Sequence, residues 1–408
     1  MNAAPPAAPD RHASLDRWLA YQERLHPRDI ELGLERVGAV AKRLSLGCEP
    51  VPTLTVAGTN GKGSSATLAA MILQQAGYRT GLYTSPHLMR YNERVCVDGM
   101  PVDDAALCEA FDCIERARGD IALTYFEFGT LAALWCFRES AVQARVLEVG
   151  LGGRLDAVNL IDADVALITS IGLDHLDWLG ADREAIGREK AHVMRPQRPA
   201  FCADPDPPST IAAHARDIDA ALGQWPRDFH ALVSARTGRW DWHGPGLTLT
   251  DLPMPGMQGP AYLRNASGVI AALQGLSQRL PLAREAIERA LRDWRLPGRF
   301  ERSGRRIYDV AHNAEAAAVL AAQLREQCAG APISLVLGMM ADKPVEAFCA
   351  ALAGQLMSVY CIGLPGPRGC PSNQLAARAG SAGVPVRACK DIAQALALMG
   401  VRPTWDSA

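Results

Sequence analysis

Thr53-Leu54-Thr55-Val56-Ala57-Gly58-Thr59-Asn60-Gly61-Lys62-Gly63-Ser64 is the stretch that decides the fold. Its first five residues are apolar or β-branched, the pattern of a short buried strand. The next seven form a glycine loop. Beyond them Leu68, Met71 and Ile72 share one helical face at i, i+3 and i+4, and Gly77 reads as a helix stop. Gly81-Leu82-Tyr83-Thr84 is the next strand. Strand, glycine loop, helix, strand is a βαβ unit, which requires a parallel sheet. Glycines let backbone N–H groups approach phosphate oxygens, and a following helix N-terminus adds partial positive charge. Lys62 is spaced to reach the β/γ-phosphates, and Ser64 or Ser65 to serve Mg²⁺. The loop is not a strict GxxxxGK[ST]: Val56 stands five before Gly61, and Gly63 separates Lys62 from Ser64. A plain glycine turn is the competing structural reading.

The pattern repeats downstream. Arg145-Val146-Leu147-Glu148-Val149 and Val165-Ala166-Leu167-Ile168-Thr169 read as further buried strands, each entering a loop rich in glycine or charge. In open α/β sheets ligands sit beyond the carboxyl ends of the strands, so these loops are where chemistry is expected. Residues 201–259 change texture. Prolines are frequent, and Trp240-Asp241-Trp242-His243 and Leu247-Thr248-Leu249 suggest short antiparallel strands in a peripheral part of the first domain. A helix follows over residues 265–276. Leu296-Pro297-Gly298-Arg299-Phe300 reads as a hinge. After it come a strand at 307–310, a helix at 313–327, a strand at 333–337, a helix from about Pro344, a strand at 358–362, a further helix and a short strand near Val386.

The chain has 408 residues, enough for two or three domains at roughly 150 each. Hydrophobic residues make up 49% and charged residues 21%, which excludes a mainly disordered chain. The net charge of −2 gives no global basic excess for coating nucleic acid. The most apolar run, residues 121–137, is interrupted by Glu127, so no membrane span is expected. The start of the chain lacks the charged and apolar regions of a signal peptide and reads as a loose tail. Eleven scattered cysteines without a CxxC pair fit reduced thiols in a cytoplasmic protein, and no Cys/His cluster has zinc-ligand spacing.

Further motifs extend the reading. In chain order they are Thr84-Ser85-Pro86-His87-Leu88, Thr124-Tyr125-Phe126-Glu127 and Leu147-Glu148-Val149-Gly150-Leu151-Gly152-Gly153-Arg154-Leu155-Asp156-Ala157. Asp174-His175-Leu176-Asp177-Trp178-Leu179-Gly180, Glu189-Lys190, Pro297-Gly298-Arg299 and Asp309-Val310-Ala311-His312-Asn313 follow. With the phosphate loop and its extra glycine, this series resembles the folylpolyglutamate synthase/dihydrofolate synthase family of the ATP-dependent Mur ligases, over about residues 14–377. The resemblance implies an α/β protein with an N-terminal P-loop-type parallel-sheet ATPase domain and a smaller C-terminal Rossmann-like α/β domain. The expected division is a disordered tail over residues 1–13, an ATP-binding domain over 14–296 and a ligase domain over 297–408.

The resemblance also assigns roles. Thr59, Asn60, Gly61, Lys62, Gly63, Ser64, Asn265, Arg299 and Asp309 would bind ATP. Ser85, Glu148 and His175 would hold Mg²⁺, with Lys190, carbamylated by CO₂, serving a second ion. Lys62, Lys190, Arg299 and His312 would carry catalysis. Glu31, Leu32, Gly33 and Leu34 would form one half of a pterin pocket and Thr124, Tyr125, Phe126 and Glu127 the other, with Leu155, Asp156 and Ala157 also at the substrate. Each has a plainer reading beside it. Thr124-x-x-Glu127 is a capping box, which is read as the main role of Glu127 itself. Glu148 can cap loop amides, and His175 can be a loop hydrogen-bonder. Lys190 beside Glu189 reads as a solvated charge, Arg299 can pack between domains, and Asn313 can be an N-cap.

The implied activity is an ATP-dependent ligation of L-glutamate to 7,8-dihydropteroate or to a folate, through an acyl phosphate shielded from water between the domains. The partners are small molecules only, with neither nucleic acid nor membrane, and the chain is expected to act as a monomer. A Mur ligase acting on a peptidoglycan precursor and a non-catalytic nucleotide-binding module are the alternatives. Two departures stand out. The family's His-Asn-Pro is His312-Asn313-Ala314 here. The strand and helix usual after residues 391–400 have no counterpart, so the C-terminal sheet is expected to lack an edge strand.

Overall fold

The computed structural model describes residues 8–28, 30–328, 330–366, 368–380 and 383–401. Strands in chain order are β1 (Thr53–Ala57), β2 (Thr80–Tyr83), β3 (Val95–Val97), β4 (Met100–Pro101), β5 (Ala144–Glu148), β6 (Val165–Ile168), β7 (Pro199–Cys202) and β8 (Ala221–Gln224). These eight form one sheet in the order β4-β3-β2-β5-β1-β6-β7-β8. β3 pairs antiparallel with both β2 and β4 at one edge, and the other five neighbouring pairs are parallel.

β1 sits between β5 and β6 and all five of its residues are buried, as a strand covered on both faces must be. The register sets Val56 opposite both Glu148 and Leu167, and Tyr83 opposite Leu147. The carboxyl ends of β2, β5, β1 and β6 therefore lie side by side. The helix Lys62–Gln75 leaves this edge and buries Ser64, Ser65, Leu68, Ile72 and Leu73, so it is covered on most of its sides. Helices Leu15–Leu25, Asp104–Arg118 and Tyr125–Glu139 build the largest cluster of the core, where the rings of Trp18, Phe111 and Phe128 meet. Ala13 is already part of that cluster, and its carbonyl accepts from Cys108 Sγ.

Residues 201–259 depart from the expected peripheral role. Their first part extends the main sheet, with helix Ser209–Asp217 carrying the chain from β7 to β8. Strands this short, among prolines, carry no periodicity to read. The second part is an antiparallel sheet of β9 (His230–Val233), β10 (Trp240–Gly244) and β11 (Leu247–Leu252), with β10 central. Trp240 and Trp242 are fully buried, and their indole N–H groups donate to Pro253 O and Ser267 O. Helix Pro260–Gln274 starts earlier than expected, with proline in its first turn.

The chain divides into two compact units, one reaching Arg295 and one beginning at Leu296. The second holds a hairpin, β12 (Glu301–Ser303) and β13 (Arg306–Tyr308), and a parallel sheet in the order β14 (Ile333–Leu337), β15 (Leu356–Ile362), β16 (Val386–Cys389). The strand expected at 307–310 ends at Tyr308 and pairs only within the hairpin, because the Asp309 carboxylate turns back to take the Phe300 and Ala311 amides. Helices Ala314–Gln327 and Val345–Leu352 cover the parallel sheet over their own core of Leu320, Leu324, Phe348 and Val359. The last seven residues, on which the missing edge strand was to be judged, lie outside the described residues. Among the described residues no helix is long and apolar enough to cross a membrane.

Candidate active site

The phosphate loop turns on two glycines. Gly61 caps the helix Lys62–Gln75 at φ +87°, and a Cβ there would lie 2.6 Å from Asn265 Nδ2. Only glycine accepts both demands without strain. Gly58, at φ +147°, packs directly against Thr169. The loop between them is held from β6: Thr59 N–H donates to Ser170 O at 2.6 Å, and the Thr169 and Ser170 hydroxyls donate to Asn60 O at 2.7 and 3.1 Å. Gly172 N–H donates to Thr59 Oγ1 at 3.0 Å. Lys62 curls over the loop, with Nζ 3.3 Å from Thr59 O. Asn265, the distant member of the expected ATP set, is buried against the same turn. Thr169 and Ser170 were not singled out by sequence. A Thr-Ser pair closing a strand beside the glycine strand is the signal that marks them.

Glu148 ends β5 and is buried. Its Oε2 accepts the Ser85 N–H at 2.9 Å, and it faces the helix start, where a Cβ on Gly63 would lie 3.4 Å from the same oxygen. The expected metal residues Ser85 and Glu148 are thus adjacent, and the amide-capping reading of Glu148 holds as well. His175 is more exposed. It stands at φ +52° before the short helix Leu176–Leu179, its N–H donating to Asp174 Oδ1 at 2.9 Å. Among the described residues no three His, Cys, Asp or Glu side chains converge into a metal cage. Mg²⁺ does not need one, since it is bound through one or two carboxylates with waters and phosphate oxygens. A buried carboxylate beside the Ser85 backbone and the first turn of the glycine-loop helix fits that ion.

Lys190 is not a solvated surface charge. It is buried in helix Arg183–Ala191, and Nζ donates to Gly58 O at 2.8 Å, beneath the phosphate loop. Burial, reinforced by the Lys62 ammonium and offset by Asp156 and Asp174, brings its amine down to about 7. Asp156 is buried nearby and its carboxyl is raised to about 6 by burial, against the pull of the Leu151 and Val158 amides and Lys62.

The three expected substrate segments converge. Gly33 N–H donates to Leu155 O at 3.1 Å, tying residues 31–34 to residues 155–157. Thr124 and Glu127 form the reciprocal capping box of helix Tyr125–Glu139, with Thr124 N–H to Glu127 Oε2 at 2.8 Å and Glu127 N–H to Thr124 Oγ1 at 3.2 Å. Phe126 lies against Gly150, where a Cβ would come within 2.6 Å of the ring, and Tyr125 stacks edge-on against Tyr91. Leu32 and Leu34 are half-buried, and Ala157 is buried in the core.

Arg299, Asp309 and His312 form a cluster of their own in the smaller unit. Asp309 accepts the Phe300 and Ala311 amides, each at 2.8 Å; burial raises its carboxyl, and Arg299 opposes that. His312 Nδ1 lies 3.0 Å from Val310 O. Asn313 caps helix Ala314–Gln327 through Ala316 N–H at 2.9 Å, its structural reading.

Two family models match the chain: the Mur ligase middle domain over residues 56–207 and the Mur ligase, glutamate ligase domain over residues 298–404. The dihydrofolate synthase/folylpolyglutamate synthase of Escherichia coli K12 is 45% identical over 372 residues, 90% of this chain and 86% of the relative. Its counterpart in Haemophilus influenzae is 37% identical over 384 residues, 88% and 85% of the two chains. Among solved structures, E. coli FolC in complex with DHPP and ADP superposes with a TM-score of 0.90 at 43% identity, covering 96% of this chain and 93% of that one. The Yersinia pestis bifunctional folylpolyglutamate synthase/dihydrofolate synthase complexed with AMPPNP and Mn ion gives 0.88 at 44% identity, covering 97% and 93%.

Proposed function

The chain belongs to the folylpolyglutamate synthase/dihydrofolate synthase family of the Mur ligases, and from that premise we propose how its own residues carry the reaction. It is an ATP-dependent ligase that joins L-glutamate to 7,8-dihydropteroate, to the γ-carboxyl of a folate, or to both. The backbone amides of residues 59–64 and the Lys62 ammonium take the ATP phosphates at the helix N-terminus, with Asn265 packed behind the turn. Ser85, Glu148 and His175 hold Mg²⁺, which neutralises charge on the phosphates and supplies Lewis acidity there. Arg299 and Asp309 are, on this reading, further nucleotide-binding residues.

A carboxylate of the pterin substrate attacks the γ-phosphorus, ADP leaves, and an acyl phosphate forms. The glutamate amine then adds to the acyl carbon, and inorganic phosphate leaves with formation of the amide. His312, held through Nδ1 against Val310 O, is the further residue assigned to catalysis. Lys190, brought near 7, is substantially neutral at pH 7–8, which suits attack of its amine on CO₂ to give a carbamate and a proton. Reduced thiols throughout and the absence of any membrane-length helix among the described residues support a cytoplasmic location.

The observation that carries this reading is the buried Glu148 carboxylate facing the first turn of the phosphate-loop helix. The decisive experiment incubates the protein with ATP, Mg²⁺, labelled glutamate and either dihydropteroate or tetrahydrofolate. Phosphate release with label in the pterin product is expected. Release only with a peptidoglycan precursor would move the enzyme to another Mur branch, and no release with any acceptor would leave a nucleotide-binding module. ¹³CO₂ should give a carbamate carbon resonance that Lys190→Arg lacks.

A further inference from the structure

Arg36 belongs to none of the motifs, yet two segments of the proposed pterin pocket meet on it. It lies in the first turns of helix Glu35–Arg43, three-quarters buried. One Nη donates to Glu31 Oε1 at 2.7 Å. The other donates to Glu31 O at 2.9 Å and to Glu127 Oε1 at 3.1 Å. Glu127 is almost wholly buried, and its second oxygen is committed to the Thr124 amide. The guanidinium therefore spans two segments some ninety positions apart in sequence, gripping side chain and backbone on one and the capping carboxylate on the other. Its Nε–H is buried without a partner among the described residues, and its two Nη groups make the contacts that hold this pose.

We propose that Arg36 is a positioning residue: its bridge from Glu31 to Glu127 fixes the two halves of the pterin pocket against each other and so sets affinity for the pterin substrate. This rests on the functional reading above. The fork geometry is what allows it. A planar guanidinium presents several fixed donors and can engage two carboxylates and a carbonyl together, whereas a lysine ammonium is a point charge on a flexible stem. Without Arg36, residues 31–34 keep the Gly33–Leu155 bond on one side but lose their tie to the capping box on the other. The pocket would then have to be ordered by the substrate, which raises KM and leaves the phosphate-transfer groups alone.

The test compares Arg36→Gln, Arg36→Lys and the pair Arg36→Gln/Glu31→Gln with the parent enzyme, reading kcat, the KM values for dihydropteroate and ATP, and thermal stability. Arg36→Gln should raise the dihydropteroate KM by about tenfold or more, with kcat at saturation and the ATP KM within about twofold. Arg36→Lys should recover only part, and adding Glu31→Gln should raise the dihydropteroate KM little further, because the Arg36–Glu31 bridge is already gone, while loss of the Glu31 contacts to Arg28 and His26 is read in the thermal stability. Should Arg36→Gln fail to fold, the same split in Arg36→Lys decides. An unchanged dihydropteroate KM in a folded but less stable variant would overturn the proposal and leave Arg36 a stability residue. A parent enzyme that ligates glutamate to neither dihydropteroate nor tetrahydrofolate would remove the functional reading, and the pocket with it.

Discussion

Glu148 serves two masters, the Ser85 amide and the phosphate loop, and a change of one atom separates them. Glu148→Gln keeps a carbonyl oxygen for the Ser85 N–H but removes the negative charge. The melting temperature should hold while phosphate release falls by roughly two to three orders of magnitude, the usual loss when a charge-stabilising group is deleted from such a site. Near-normal ligation by the variant would remove Glu148 from metal binding. Asp156 makes a different kind of statement. Burial lifts its carboxyl to about 6 from an ordinary 3.8. Above pH 6 it is ionised folded and unfolded, so the folded state carries the full cost of the buried charge, on the order of 3 kcal/mol. Below about pH 4 it is protonated in both, and the cost is gone. Its contribution therefore increasingly favours folding as pH falls from 7 to 4. Urea denaturation of Asp156→Asn and the parent isolates this from other groups: the stability of the variant relative to the parent should drop by that amount between pH 8 and pH 4. A difference independent of pH would mean that the carboxylate ionises as easily folded as unfolded.

At the scale of elements, the proposed phosphate loop is shaped by a strand, a left-handed turn and a helix start that meet within a few residues. Gly61→Ala adds one methyl where the backbone sits at φ +87° and Asn265 Nδ2 is 2.6 Å away, so turn and side chain must both move. Calorimetric titration with ADP and Mg²⁺ should show at least about a tenfold loss of affinity, since one such contact is worth more than 1.4 kcal/mol. Undiminished binding would make the left-handed turn incidental. This loop was legible in sequence because β1, its glycines and the helix face are all local patterns, and so were the capping box at Thr124 and the cap at Asn313. β7 and β8 were not: four-residue strands set among prolines have no period to reveal. The strand at 307–310 was overextended because Ile307, Tyr308 and Val310 look like strand, while the pairing partner and the turn of Asp309 are tertiary facts.

At the scale of the whole molecule, the sheet order explains why site residues scattered in sequence share one edge. β5 inserts between β2 and β1, which brings Glu148 beside both Ser85 and the helix start at Gly63. No local pattern encodes that insertion, and Arg36 was invisible for the same reason, since its two carboxylates are neighbours only after folding. Lys190 shows the limit most sharply. Its local sequence reads as surface, and only the packed structure puts its amine under Gly58. The cysteines, by contrast, were read by composition and can be tested across the entire chain. All eleven are free; seven are buried and only Cys48 is exposed. Burial raises the thiols of Cys136, Cys202 and Cys361 to about 12, which removes the reactive thiolate at neutral pH. A maleimide at pH 7.5 should therefore label the folded protein first at Cys48, with Cys96, Cys113 and Cys328 slower and the seven buried thiols only on unfolding. Denatured protein should titrate all eleven thiols with or without prior reductant, and its melting temperature should ignore reductant. Fewer than eleven thiols before reduction would reveal a disulfide, and rapid labelling of Cys361 would mean that the core of the smaller unit opens far more readily than its packing implies.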